Sequence, residues 1–177
     1  MPVLPGSPKK TRITRIYVST PDTTINGRRN WGIPKRVAAF NFVPAPPGSA
    51  VPYARIEVSL PGLEARPFFA ADLTAPAVFG LTIPLSCALL PMDMQLVQPP
   101  LPESLTEPAR VGSKDWIATS PYMRGKVAGI WAKGGLEGGA WGDGEGFPAV
   151  QPWGLGLWWK QLVIDFPVGE VLEKKDN

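Results

Sequence analysis

Apolar positions fall into short runs with a period of two, repeatedly broken by Pro, Gly, Asn or Asp. Tyr53–Leu60 is the clearest case. Ala54, Ile56, Val58 and Leu60 alternate with Arg55, Glu57 and Ser59, the pattern of a half-buried strand. Ile13–Ser19 is rich in β-branched and aromatic residues and predicts a strand within Arg12–Thr20. Pro21-Asp22 and Asn26-Gly27 read as turns. Pro34 fixes its own φ and biases Ile33 toward an extended form, so no helix is expected through Lys35, and Val37–Val43 resumes as an apolar strand.

Farther along, Pro44–Pro52 is a loop and Pro61-Gly62 a turn. Arg66–Ala71 is an apolar segment whose Phe68 and Phe69 are expected in the core. Ala77–Leu81 predicts a short strand, and Leu85–Leu90 either a strand or one helical turn. Residues 98–111 are Pro-rich and read as a long surface loop that could serve as a lid. Trp116–Ser120 and Arg124–Ala132 are β-segments. Trp153, Leu155, Leu157 and Trp159 would share one strand face and close the core. Leu162, Ile164 and Phe166 continue the alternation after a bulge near Lys160.

Composition narrows the class. The chain has 177 residues, 44% hydrophobic and 19% charged, so it is globular and long enough for one sizeable core. Its 22 prolines and 19 glycines favour many turns over long helices, hence an all-β or β-rich, mostly antiparallel fold with Pro/Gly-rich loops. The organisation expected is a loose leader at 1–11, one β-barrel domain at 12–170 and a charged tail at 171–177. The net charge of +3 carries no clustered basic stripe, so nucleic acid is not an expected partner. No run approaches about 18 apolar residues, so no membrane span is expected. Residues 1–11 lack an apolar run, and a cytoplasmic location follows as the expectation.

The absence of histidine excludes Ser-His-Asp and Cys-His catalysis and any His-containing metal site. Cys87 is the only cysteine, sits in an apolar run and reads as a small core residue. The Gly-rich stretch 134–146 carries Glu137, Asp143 and Glu145 without the alternating oxygen ligands of a calcium loop or the Gly-Lys-Ser/Thr of a phosphate loop. No cofactor and no metal are expected. Chemistry is left to Lys, Arg, carboxylates, Tyr or backbone. Lys35, at the opening of an apolar strand, is the residue whose burial would change its chemistry most.

Gly27-Arg28, five intervening residues and Pro34-Lys35-Arg36, preceded by Ile16-Tyr17-Val18-Ser19, resemble the motif of the acetoacetate decarboxylase superfamily, closest to its fungal acetoacetate decarboxylase-like branch. A Pro-Trp-x-x-Gly-Leu-Trp-like segment before the last strand is similar to that branch as well. In the family the motif reads Gly-Arg-Glu, a few residues, then Pro-Lys-Lys, and the first lysine forms a Schiff base with a ketone. Activation of that lysine by desolvation or a cationic neighbour is established for acetoacetate decarboxylase.

The resemblance implies an acetoacetate-decarboxylase-like β-barrel in which Lys35 is the Schiff-base nucleophile toward a β-keto acid or related carbonyl. Arg36 keeps the charge of the second lysine, and Arg28 is a supporting cation. Arg29 stands where the family has glutamate. The family's N-terminal block, with its substrate-positioning arginine and carboxylates, has no counterpart that can be named here. On a strand, successive side chains point to opposite faces, so desolvation rather than Arg36 is expected to lower the Lys35 pKa. Trp31, Ile33 and Phe40 are the candidates for an apolar wall.

Two alternatives stand beside decarboxylation. One is a Schiff-base aldolase or dehydratase on the same lysine. The other is a catalytically degenerate barrel that binds a small molecule. Strands missing from a barrel would leave edges for a second copy to cover, so a homo-oligomer is also an expectation.

Overall fold

The computed structural model describes residues 10–75, 81–89 and 93–172. Strand accounts for 43% of them and helix for 11%, so the fold is β-rich, and its largest element is a curled antiparallel half-barrel sheet. The described chain divides into two compact units. The first draws on the chain up to Val37, on Ser86–Met123 and from Val163 onward; the second on Ala38–Leu85 and Arg124–Leu162. No helix among the described residues is long and apolar enough to cross a membrane.

In the first unit, β1 (Ile16–Val18) leads into α1 (Pro21–Trp31) and then β2 (Lys35–Val37). β1 and β2 pair in parallel, with Ile16 opposite Lys35 and Val18 opposite Val37. The sequence had suggested two turns between these strands, and a helix lies there instead. Parallel neighbours cannot be joined by a tight turn and need a crossover, which α1 supplies.

The helix starts where Thr20 caps it: its Oγ1 accepts the Thr23 N–H at 3.3 Å. Pro21 occupies the first turn, where its missing N–H is harmless, and Asp22 meets the positive end of the helix. At the other end Gly32 adopts φ 60°, and both Gly32 and Ile33 donate their N–H to the Gly27 carbonyl. A left-handed residue is cheap only for glycine, so Gly32 sets where the helix stops.

A sheet of β7 (Leu96–Gln98), β8 (Trp116–Thr119) and β11 (Glu170–Leu172), in the order β11-β8-β7, completes this unit. β11 runs into the stretch expected as a charged tail: Glu170 pairs with Ala118 and Leu172 with Trp116. Ile33, Leu96, Ile117 and Ala118 are buried here together with Gln98. The Gln98 amide, oriented to satisfy both neighbours, donates to the Ile13 carbonyl and accepts its N–H at 2.8 Å, so a side chain continues the ladder. Cys87 is buried, and its sulfur accepts the Met123 N–H.

The second unit holds β3 (Ala39–Pro44), β4 (Tyr53–Ser59), β5 (Phe69–Thr74) and most of β9 (Tyr122–Gly134) and β10 (Leu155–Asp165), ordered β10-β9-β5-β4-β3, with most of β6 (Ile83–Ser86) on β9. Val51, Ala71, Leu73 and Ile130 form its core, with Phe69, Trp141 and Trp158 packed around them. Phe68 is buried as expected.

The opposite face of β4 is polar. Arg55 bonds Glu57, Asp72 and the Gly135 carbonyl, and Glu57 also accepts from Asn41. The last strand differs from its sequence reading. Trp158 enters the core, whereas Leu155 and Leu157 are exposed and Trp153 is 90% exposed. The neighbouring parity won because Trp158 can pack edge-on against Tyr53. Next to the bulge expected near Lys160, Gln161 takes a left-handed φ of 53°. The expected strand at Ala77–Leu81 falls largely outside the described residues. Leu85–Leu90 resolves into the end of β6 and a short 3-10 turn at Cys87–Leu89.

Candidate functional site

Lys35 opens β2 directly after a tight turn at Pro34, where its N–H donates to the Ile33 carbonyl at 2.7 Å. Its side chain runs back over α1 and lies on Gly27. A methyl group at Gly27 would fall on Cδ, Cε and Nζ of Lys35. The motif's glycine is therefore the floor on which the lysine chain rests. The residue is half-buried, and among the described residues no carboxylate or carbonyl pairs with Nζ. Burial holds the Lys35 ammonium below its ordinary value of 10.5, with nothing opposing it. A larger fraction of neutral amine follows, and only the neutral amine is nucleophilic.

Arg28, one residue along the helix, is 2% exposed. Its guanidinium is held by carbonyls: Nε donates to Val111 at 2.6 Å, one terminal nitrogen to Pro102 at 2.7 Å and the other to Lys35 at 3.5 Å. Burial lowers its pKa and Arg110 adds to that, while Glu107 opposes both. Arg28 thus ties the helix, the Lys35 backbone and both ends of the 98–111 loop together. That loop carries no free-lid geometry at these points.

Arg36 donates to Glu107 Oε1 at 2.9 Å, and Arg110 donates to the same oxygen at 2.7 Å. Burial alone would raise the Glu107 carboxyl, but the bonds from Arg110 and Arg36 outweigh it and hold the group below its usual range. Arg36 is therefore engaged with the loop. The lowering of the Lys35 pKa comes from desolvation, not from a charge on Arg36.

The expected wall residues separate. Ile33 is 2% exposed and adjoins Lys35 through the backbone. Trp31 turns to the other end of the unit. Its Nε1 donates to the Pro167 carbonyl at 2.8 Å, and its ring meets Phe166 edge-on at 5.9 Å. Phe40 belongs to the second unit, where it stacks on Phe42. Trp31 also walls a groove of about 670 Å³ with Arg29, Lys114, Ile117, Val168 and Gly169, and Lys35 is not among its lining residues.

Glu107 and Arg110 escaped sequence reading. They sit in a Pro-rich stretch, and their partners lie in α1 and β2; the spacing Glu107-x-x-Arg110 was the only local signal. Among the described residues no three His, Cys, Asp or Glu side chains gather as metal ligands. Comparison with protein-family models, curated proteins and solved structures finds no match.

Proposed function

We propose that Lys35 is an amine nucleophile toward a small ketone or β-keto acid, the chemistry implied by the resemblance to acetoacetate decarboxylases. The carrying observation is a half-buried lysine resting on Gly27 with no counter-charge on Nζ among the described residues. The neutral amine adds to the carbonyl, and water leaves to give an iminium. The carbon–carbon bond to the carboxylate then breaks, CO₂ departs and the electron pair moves onto the iminium nitrogen. Protonation at carbon and hydrolysis of the imine release the ketone and return Lys35. An aldolase or dehydratase would share the iminium and differ only afterwards.

A second reading is a binding role without Lys35 chemistry, favoured by the groove at Trp31 that Lys35 does not line. Borohydride trapping separates the two. Protein mixed with acetoacetate, and separately with pyruvate, is reduced, and the adduct is located by peptide mass. An adduct confined to Lys35 and lost in Lys35→Ala is expected. Folded protein that yields no Lys35 adduct would eliminate the catalytic reading.

A further inference from the structure

The charge of the Arg36–Glu107–Arg110 cluster is unbalanced. Arg36 and Arg110 both bond one acid, Glu107, whose charge also acts on buried Arg28, and among the described residues no other carboxylate acts on Arg28. Arg36 and Arg110 each direct one bond to the same oxygen, Oε1, which brings their guanidinium groups close enough for one ion to bridge. Both side chains keep part of their surface open to solvent, at 31% and 28%. Arg110 Nε is buried and has no hydrogen-bond partner. Two cations on one carboxylate, a third buried behind them and an orphaned donor form a costly arrangement in a partly desolvated place. A doubly charged oxyanion would offset both the excess charge and the missing bonds, and planar guanidinium forks match its geometry.

We infer that Arg36 and Arg110 form a binding site for a phosphate group, free or carried on a small ester, at the foot of the 98–111 loop. Successive strand positions place Arg36 on the face opposite Lys35, so this site is separate from the Lys35 chemistry and does not depend on it. Phosphate bridges the two guanidinium groups beside Glu107, and Arg110 turns to give its Nε–H a partner. Buried Arg28 supplies charge from behind without moving, because its donors are committed to carbonyls.

The test is a titration of the full chain with inorganic phosphate, ionic strength held constant with chloride. It is read by the arginine side-chain Nε–H resonances and by the melting temperature. Saturable shifts at Arg36 and Arg110 with a rise in melting temperature are expected. Arg110→Gln should weaken binding at least about tenfold, and Arg29→Gln, on the exposed end of α1, should leave it within about twofold. Glu107→Gln removes the competing carboxylate and should tighten binding, the reverse of what a purely structural role would give. Shifts no larger than chloride produces, equal losses in Arg110→Gln and Arg29→Gln, or weaker binding in Glu107→Gln would each overturn the site.

Discussion

Lys35 and Arg55 are both strand cations, and their surroundings are opposite. Arg55 reaches Glu57 and Asp72 at 2.8 Å each and the Gly135 carbonyl at 2.7 Å. Its bonds to Glu57 and Asp72 hold the guanidinium above its ordinary value, and Arg55 followed by Asn41 holds Glu57 below its own. Lys35 lies on Gly27, finds no counter-charge, and its pKa falls. Arg28 is the intermediate case, more buried than either, bonded to carbonyl dipoles and touched only by the charge of Glu107. Desolvation raises the free energy of any charge; the partner that comes with it decides whether the cation is locked or reactive.

The largest effect expected from breaking this pattern is at Arg28. Arg28→Ala strands the Pro102 and Val111 carbonyls and releases the loop, and a loss of about 3 kcal/mol in urea unfolding is expected. A loss below about 1 kcal/mol would mean the loop is held by something else. Arg55→Ala comes next, at about 1 to 2 kcal/mol, because its network is partly solvated. The pH dependence of that network has a definite sign. The folded Glu57 pKa is lowered from 4.5, so its stabilisation is present above that value and lost as pH falls through the folded one. Glu57→Gln should therefore flatten the acid side of a melting-temperature profile.

The smallest stability effect is expected at Gly27. Gly27→Ala gains helix propensity of about 1 kcal/mol, but its methyl group meets the Lys35 chain, leaving a net change within about 1 kcal/mol. Its signature is chemical instead. Lys35 is pushed toward solvent and borohydride trapping drops. Undiminished trapping in Gly27→Ala would show that Gly27 does not set the lysine's position.

How much of this was legible depended on the range of the interaction. Tyr53–Ser59 was readable because period-two patterning is local, and so was the existence of β10, though not which of its faces is buried. Thr20-Pro21-Asp22 and Gly32 were readable as a cap, first turn and stop, yet α1 was taken for turns. Its polar run Asn26 to Asn30 offers no apolar stripe, and Pro-Asp and Asn-Gly dominate the local signal. Lys35 could be singled out from its strand context. The loop clamp could not, since Arg28 binds carbonyls 74 and 83 residues away, and a carbonyl has no sequence signature.

The central claim is that Lys35 is a desolvated amine, and competitive acylation tests it directly. A trace of acetic anhydride is added to the folded protein across a pH series, and the modified lysine peptides are quantified by mass. The account expects Lys35 to reach half its limiting reactivity below pH 10.5. Folding stability should then rise with pH between that midpoint and 10.5, because over that interval the unfolded chain still holds a proton the folded one has released. A midpoint at or above 10.5 in folded protein would contradict the account.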